Sequence, residues 1–358
     1  MKIAVAEINI GALLYNVEVV RKLAPTSKIL AMIKANAYGH GYLEVAESLT
    51  NVDAFGVARL DEAIKLRDAG IKKSIVLLEG FFDKDELMVI AEKQLETVLH
   101  NKQQVIDFIN ADLPQPIKVW LKLDTGMHRI GLAPEEMASC YNQLTQHKNI
   151  LATPTILTHL ACADELEHPL NNQQINLFNQ LCLDIEGERS IANSAAIMSL
   201  PETHLDWVRP GIMMYGASAM ADSDAAEHDL KPVMTLKSSV IAVRDVPKGG
   251  SVGYGATWVA AQNTKIAVVA IGYGDGYPRN AGNGTPVLIN SIEYPLVGRV
   301  SMDMITVDLG QSTEIKVGDE VILWGEGLPI ERVARHANSI AYELLCGVTG
   351  RVTKQYKN

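Results

Sequence analysis

Between Lys28 and Val208 the sequence repeats one theme: a short β-branched or apolar run, a loop, then a segment with apolar residues at three- and four-residue spacing. The runs are Lys28 to Ile33, Ala54 to Ala58, Ser74 to Leu78, Glu96 to Leu99, Ile117 to Leu123, Thr155 to Thr158, Ser190 to Ala192 and Leu205 to Val208. The amphipathic stretches between them include Asp61 to Ala69, Asp83 to Glu92, Lys102 to Ile109, Glu135 to Gln146 and Gln173 to Leu183. Alternation of this kind predicts a parallel sheet. Eight units in about 230 residues suit a closed (β/α)8 barrel, an α/β fold, better than an open doubly wound sheet.

Near Lys231-Pro232 the rhythm changes. Leu236 to Val243, Lys265 to Ile271, Val287 to Ile289, Ile305 to Val307 and Glu320 to Leu323 are β-rich, and glycine-containing turns such as Lys248-Gly249-Gly250 and Asn283-Gly284-Thr285 separate them. One helical segment, Ile330 to Ala337, comes late. The expected organisation is a barrel over 1–232 and a mostly antiparallel β domain over 233–358.

Composition narrows the function classes. With 47% hydrophobic and 21% charged residues the chain is globular and not disordered. A net charge of -10 without a basic cluster argues against nucleic acid. Cys140, Cys162, Cys182 and Cys346 form no C-x-x-C, so neither a zinc site nor a disulfide framework is expected. Met1 to Ile10 carries Lys2 and Glu7 and no apolar core of a signal peptide, and no run is long enough to span a bilayer. A cytoplasmic protein with reduced thiols is the expectation.

Lys34 stands where the first apolar run ends. Ile33-Lys34-Ala35-Asn36-Ala37-Tyr38-Gly39-His40-Gly41 breaks into a glycine-punctuated loop, and barrels keep their chemistry in loops beyond the carboxyl ends of strands. By position alone this is an ordinary solvated lysine. Tyr38, His40 and the two glycines open a second reading, in which a small anionic molecule is enclosed beside an amine that forms Schiff bases once desolvated.

Residues 34–41, Lys-Ala-Asn-Ala-Tyr-Gly-His-Gly, resemble the pyridoxal 5'-phosphate attachment motif of the alanine racemase family, and further segments extend the resemblance over nearly the whole chain. It implies a barrel with a β domain, working as a homodimer on a small amino-acid substrate. The implied activity is two-base interconversion of L-alanine and D-alanine, supplying D-alanine for peptidoglycan or serving alanine catabolism. Lys34 would carry the cofactor and exchange the α-proton on one face. In Lys118 to Gly131, Arg129 is by itself a surface charge; the resemblance sets it on the substrate carboxylate and the cofactor phenol, braced by Lys122, which some relatives carbamylate.

The same resemblance assigns the remaining segments. His159, alone a satisfied core histidine, would lie against the pyridine ring. Ser194 in Asn193-Ser194-Ala195 reads as a helix N-cap and equally as a phosphate ligand. In Trp207 to Gly216, Gly211 and Ile212 would offer backbone N–H groups to the phosphate. Arg209 would face the ring nitrogen, where its permanent charge opposes ring protonation, leaves the carbanion less delocalised and favours prompt reprotonation over transamination. Tyr254, in Ser251 to Trp258, is otherwise a half-exposed packing residue; here it is the second base, reaching the site from the partner subunit and tuned through His159 and Arg209.

Gly272 to Arg279 has the wrong spacing for a dinucleotide fingerprint, and the resemblance gives Tyr277 a part in closing the entrance. Val297 to Met304 would place the Met302 backbone near the substrate carboxylate, with Asp303 beside it, and Tyr342 in Ile340 to Cys346 would join Tyr38 on the phosphate. No metal is expected. One departure is Ser190, where many relatives have a histidine supporting the ring-nitrogen arginine. Asp222 to Glu227 and Glu165 to Leu170 match nothing in the pattern. The competing readings are a serine or broad-specificity racemase, a decarboxylase with an acid in place of Arg209, and a single-barrel pyridoxal carrier.

Overall fold

The computed structural model describes residues 3–357, so Lys2 lies outside the described residues. Eight parallel strands, β2 (Lys28–Met32) through β9 (Trp207–Val208), follow a first strand β1 (Val5–Asn9). β3 is Ala54–Val57, β4 Ser74–Leu77, β5 Glu96–Leu99, β6 Val119–Lys122, β7 Thr155–Leu157 and β8 Arg189–Ser190. Their order is β8-β7-β6-β5-β4-β3-β2-β9, that of a barrel opened at one seam. There the backbone N–H of Arg209 donates to Ala192 O at 2.9 Å and the Ser190 hydroxyl donates to Trp207 O at 2.8 Å, so the barrel is nearly closed.

The strands are apolar because both faces are covered, the inner by one another and the outer by helices. Several end a residue or two before the apolar runs do. At β2, Ile33 still donates its N–H to Gly56 O at 2.9 Å, and Lys34 is the first residue to leave the sheet. The helix expected from Gln173 starts earlier, at Pro169, because proline suits a first helical position and the His168 ring accepts the N–H of Leu170 at 3.2 Å.

The second sheet is mostly antiparallel. β10 (Met234–Val246) is its spine: its first half pairs with β1 and with β17 (Glu320–Trp324), its second half with β13 (Thr264–Val269), which pairs with β16 (Ile305–Asp308). β14 (Pro286–Ile289) and β15 (Ile292–Pro295) extend one edge, and β18 (Thr353–Lys357) lies parallel to β1 at the other. β1 opens the stretch expected to be barrel, yet it adds to this sheet. A separate hairpin, β11 (Ser251–Val252) and β12 (Trp258–Val259), carries Tyr254 at its tip. One buried core runs through barrel and β domain, and a helix not foreseen from the sequence, Ala341–Gly347, packs on the residues after Lys34.

Candidate active site

The segment after Lys34 is not a loop. Ala35, Asn36 and Ala37 have φ and ψ between 45° and 55°, and Tyr38 has φ of 51°, which makes one turn of left-handed helix from residues with side chains. Such a conformation costs about 1–2 kcal/mol per residue, so the surroundings must hold it. Glu62 accepts the Ala35 N–H at 2.7 Å, and inside the turn Gly39 N–H bonds Ala35 O at 3.1 Å and Gly41 N–H bonds Asn36 O at 3.0 Å. Gly39 is required on two counts: its φ is +81°, and a Cβ there would sit 2.2 Å from Leu345 O of the covering helix.

Lys34 joins a group of basic side chains gathered at the carboxyl ends of β2, β6, β7 and β9. Burial, and then the charge of Arg129, holds the Lys34 ammonium below the usual lysine range. Lys122 is buried and pushed down to about 7 by desolvation, with Arg209, Arg129 and Lys34 adding to the effect. Arg209 is 5% exposed, and among the described residues no carboxylate forms an ion pair with it. Its guanidinium donates to Ser190 Oγ at 2.7 Å, to Thr158 O at 2.7 Å, to Ile191 O at 3.0 Å and to His159 Nδ1 at 3.2 Å. Because arginine is always the donor, Nδ1 of His159 accepts and the ring proton sits on Nε2. Burial and the neighbouring cations keep that ring neutral. Ser190 holds the arginine directly while bridging the barrel seam, so the missing histidine leaves no gap in its support.

Beside the cations lies a cluster of hydroxyls. Ser194 Oγ accepts the Gly211 N–H at 2.7 Å, and a Cβ on Gly211 would stand 2.5 Å from the Tyr38 hydroxyl. The N-cap of the helix Ser194–Ser199 is Asn193, which accepts from Ala196 N–H at 3.0 Å; this corrects the N-cap reading of Ser194, whose hydroxyl turns to Gly211 instead. The Gly211 N–H, expected to point to a phosphate, is already taken by Ser194. Ile212, also expected to offer an N–H, opens the 3-10 helix Ile212–Tyr215. Tyr342 faces Tyr38 with ring centroids 6.0 Å apart, and burial raises both phenols so that they remain donors at neutral pH. Four basic side chains, Lys34, Lys122, Arg129 and Arg209, none in an ion pair among the described residues, next to hydroxyl donors and a glycine that a side chain would block, fit a ligand with a phosphate and a carboxylate.

Arg129 borders this group, and the other expected residues lie further from it. Arg129 is on an exposed stretch whose loop is braced by Asp124, which accepts from the N–H groups of Gly126 at 2.9 Å and His128 at 3.1 Å. Tyr254 is 71% exposed, and among the described residues no hydrogen bond or ring contact joins it to His159, Arg209 or Lys34. The tuning chain expected from His159 and Arg209 to its phenol is therefore absent within one protomer. Met302 is also exposed, on a loop whose Met302 O accepts the Gly274 N–H at 2.9 Å, and Asp303 is paired with Arg351 at 2.8 Å.

Tyr277 requires a correction. It is 1% exposed and stacked on Trp324 with centroids 6.1 Å apart, so it is a core residue and closes no entrance. Tyr273, one turn earlier, is the exposed ring. Sequence reasoning also missed Tyr215, buried between Tyr38 and His40 and donating to Met32 O at 2.8 Å, and Glu62. Tyr215 lies within the Trp207 to Gly216 segment, which was informative as a whole; nothing local marks Glu62.

Comparison with known proteins gives the family. Residues 8–219 match the model of the alanine racemase N-terminal domain and residues 233–356 that of the C-terminal domain. The chain is 53% identical over 356 residues to alanine racemase of Aeromonas hydrophila, covering 99% of this chain and 100% of that one. It is 51% identical over 357 residues to the biosynthetic alanine racemase of Escherichia coli K12, covering 99% of each. The crystal structure of the biosynthetic alanine racemase of Pseudomonas aeruginosa superposes with a TM-score of 0.97 at 44% identity, covering both chains completely. An alanine racemase structure from Bartonella henselae, described as carrying covalently bound pyridoxal phosphate, matches with a TM-score of 0.90 at 28% identity over 100% of each chain. With both domain models matched in order and such identity sustained from end to end, this chain belongs to the alanine racemase family.

Proposed function

We propose that this protein is a pyridoxal 5'-phosphate-dependent alanine racemase that acts as a homodimer in the cytoplasm, supplying D-alanine for peptidoglycan or serving alanine catabolism. The observation that carries the reading is the unbalanced cation cluster at the barrel mouth, with a desolvated Lys34 at its edge and hydroxyl donors beside it. Lys34 would hold the cofactor covalently; Tyr38, Ser194, Ile212 and Tyr342 would hold its phosphate, with Gly211 leaving room, and Arg209 and His159 would face its ring. When bound, the cofactor makes the α-hydrogen of an amino acid acidic.

The chain's own residues do the rest. Arg129 and the Met302 backbone bind the substrate carboxylate, and Lys122 positions Arg129. A neutral amine is the form that reacts with carbon dioxide, and burial supplies it at Lys122 near neutral pH. Carbamylation would turn a cation that repels Arg129 into an anion that holds it. Lys34 Nζ takes or returns a proton on one face of the substrate α-carbon. The partner subunit's Tyr254 does the same on the other face through its phenolic oxygen. Arg209, with no acid near it, keeps the ring nitrogen unprotonated.

The test is exchange of the alanine α-hydrogen with deuterated solvent. Tyr254→Phe is expected to bind cofactor normally and to lose about 100- to 10,000-fold in the L to D direction. Full activity in this variant would remove Tyr254 from the reaction, and failure of wild type to bind cofactor would overturn the whole reading.

A further inference from the structure

The left-handed turn that presents Lys34 ends under His40, and the mechanism above gives this residue no task. His40 is completely buried. Its Nδ1 lies 3.0 Å from Ala37 O and 2.9 Å from Tyr38 O, and both partners are acceptors, so Nδ1 carries the proton and donates to both. The other nitrogen, Nε2, has no partner among the described residues. Burial pushes the ring down to about 4, so it is neutral throughout the working range. The imidazole stacks on Tyr215 at 4.6 Å, and Tyr215 stacks on Tyr38 at 4.8 Å. Tyr356 of β18 donates to the His40 carbonyl at 3.0 Å.

Ala37 O and Tyr38 O are the carbonyls at the end of the turn. A right-handed helix leaves its last carbonyls to a left-handed glycine or to water. Here the end of the turn is buried: Ala37 O also accepts the His40 backbone N–H at 3.0 Å, whereas Tyr38 O is reached by the imidazole, so one N–H of a fixed tautomer ties the two carbonyls together. The same ring buttresses Tyr38 through Tyr215. We propose that His40 is a positioning residue whose Nδ1–H caps the left-handed turn, fixing where the Lys34 amine and the Tyr38 hydroxyl stand. This inference rests on the reading of Lys34 and Tyr38 as cofactor ligands.

Three variants of the full chain separate this role from packing. His40→Phe keeps the stacked ring and loses the donor. His40→Asn loses the ring and retains a donor near Nδ1. Ala35→Gly releases an exposed residue at φ of 51° from its steric penalty and leaves the buried side chains around it in place. Two readouts are used: pyridoxal phosphate affinity by absorbance titration, and the pH midpoint for acylation of the Lys34 amine in the cofactor-free protein, followed by peptide mass spectrometry.

In His40→Phe, affinity is expected to fall at least about 10-fold, and the Lys34 midpoint to rise toward the ordinary lysine value of about 10.4 as the amine loses its buried place. His40→Asn should recover most of both. Adding Ala35→Gly to His40→Phe should recover at least about threefold in affinity, because a relaxed backbone needs less capping. Wild-type values in His40→Phe would overturn the proposal. So would equal losses in the Phe and Asn variants with no gain from Ala35→Gly, since packing alone would then account for His40. If wild type acylates with a depressed Lys34 midpoint yet binds no pyridoxal phosphate, the cofactor reading fails, and the proposal that rests on it fails too.

Discussion

Lys122 shows how one side chain can be read as a balance of charge against burial. Its pKa of about 7 lies below the unfolded lysine value of about 10.4, so the unfolded chain binds more protons between those limits. The penalty for burying the charge is complete below about pH 7 and is relieved as pH rises toward 10. Lys122→Met should therefore raise the thermal midpoint of the cofactor-free protein in carbonate-free buffer, by a margin that is largest near pH 7 and shrinks toward pH 10. Calorimetry at several pH values checks the sign. The variant should also lose activity, because the proposed brace of Arg129 is then gone. Arg209 is the complementary case, with Ser190 on one terminal nitrogen of its fork and Thr158, His159 and Ile191 around the other. Arg209→Lys keeps the charge and cannot reach all four, so turnover should drop by about 100-fold with the fold intact, as steady-state kinetics and circular dichroism would show.

At the scale of elements, the left-handed turn is the part the sequence hid. Its alanines and asparagine carry no sign of positive φ, and only Gly39 and Gly41 marked the region as unusual. What holds the turn is tertiary: Leu345 O above, Glu62 at its start, His40 at its end. Gly39→Ala should cost more than about 2 kcal/mol in denaturant unfolding, because its Cβ would meet Leu345 O at 2.2 Å. Gly70→Ala, at φ of +89° with no atom within 4 Å, should cost only the backbone strain of about 1–2 kcal/mol.

The barrel strands were legible because burial on both faces writes continuous apolar runs, and the long amphipathic helices because their period is 3.6. Strand partners were not. Nothing in Val5 to Asn9 says that it joins β10 and β18, and two tyrosines four residues apart, Tyr273 and Tyr277, look alike until packing buries one of them. Ala341–Gly347 was missed because a seven-residue helix spans too few turns to show a period.

On the whole molecule, Tyr254, Tyr273, Met302 and Met304 leave apolar surface exposed on neighbouring turns, as expected of a face that a second copy covers. A site shared between subunits predicts complementation. Lys34→Ala and Tyr254→Phe proteins, each inactive alone, should on mixing and subunit exchange recover about a quarter of wild-type activity, since half the dimers would carry one intact site of two. No recovery, with exchange shown by mass spectrometry, would place both bases on one chain.

The pairing of β1 with β18 has a consequence for biosynthesis. Glu7 and Lys357, joined across this edge, are 350 positions apart in the chain. On the ribosome β1 emerges long before β18, and until then only β10 can pair with it. The same late strand brings Tyr356 to the His40 carbonyl. A nascent barrel can thus fold while its lysine turn is still unclamped, and the proposed vitamin-derived ligand should be captured only once β18 has left the ribosome.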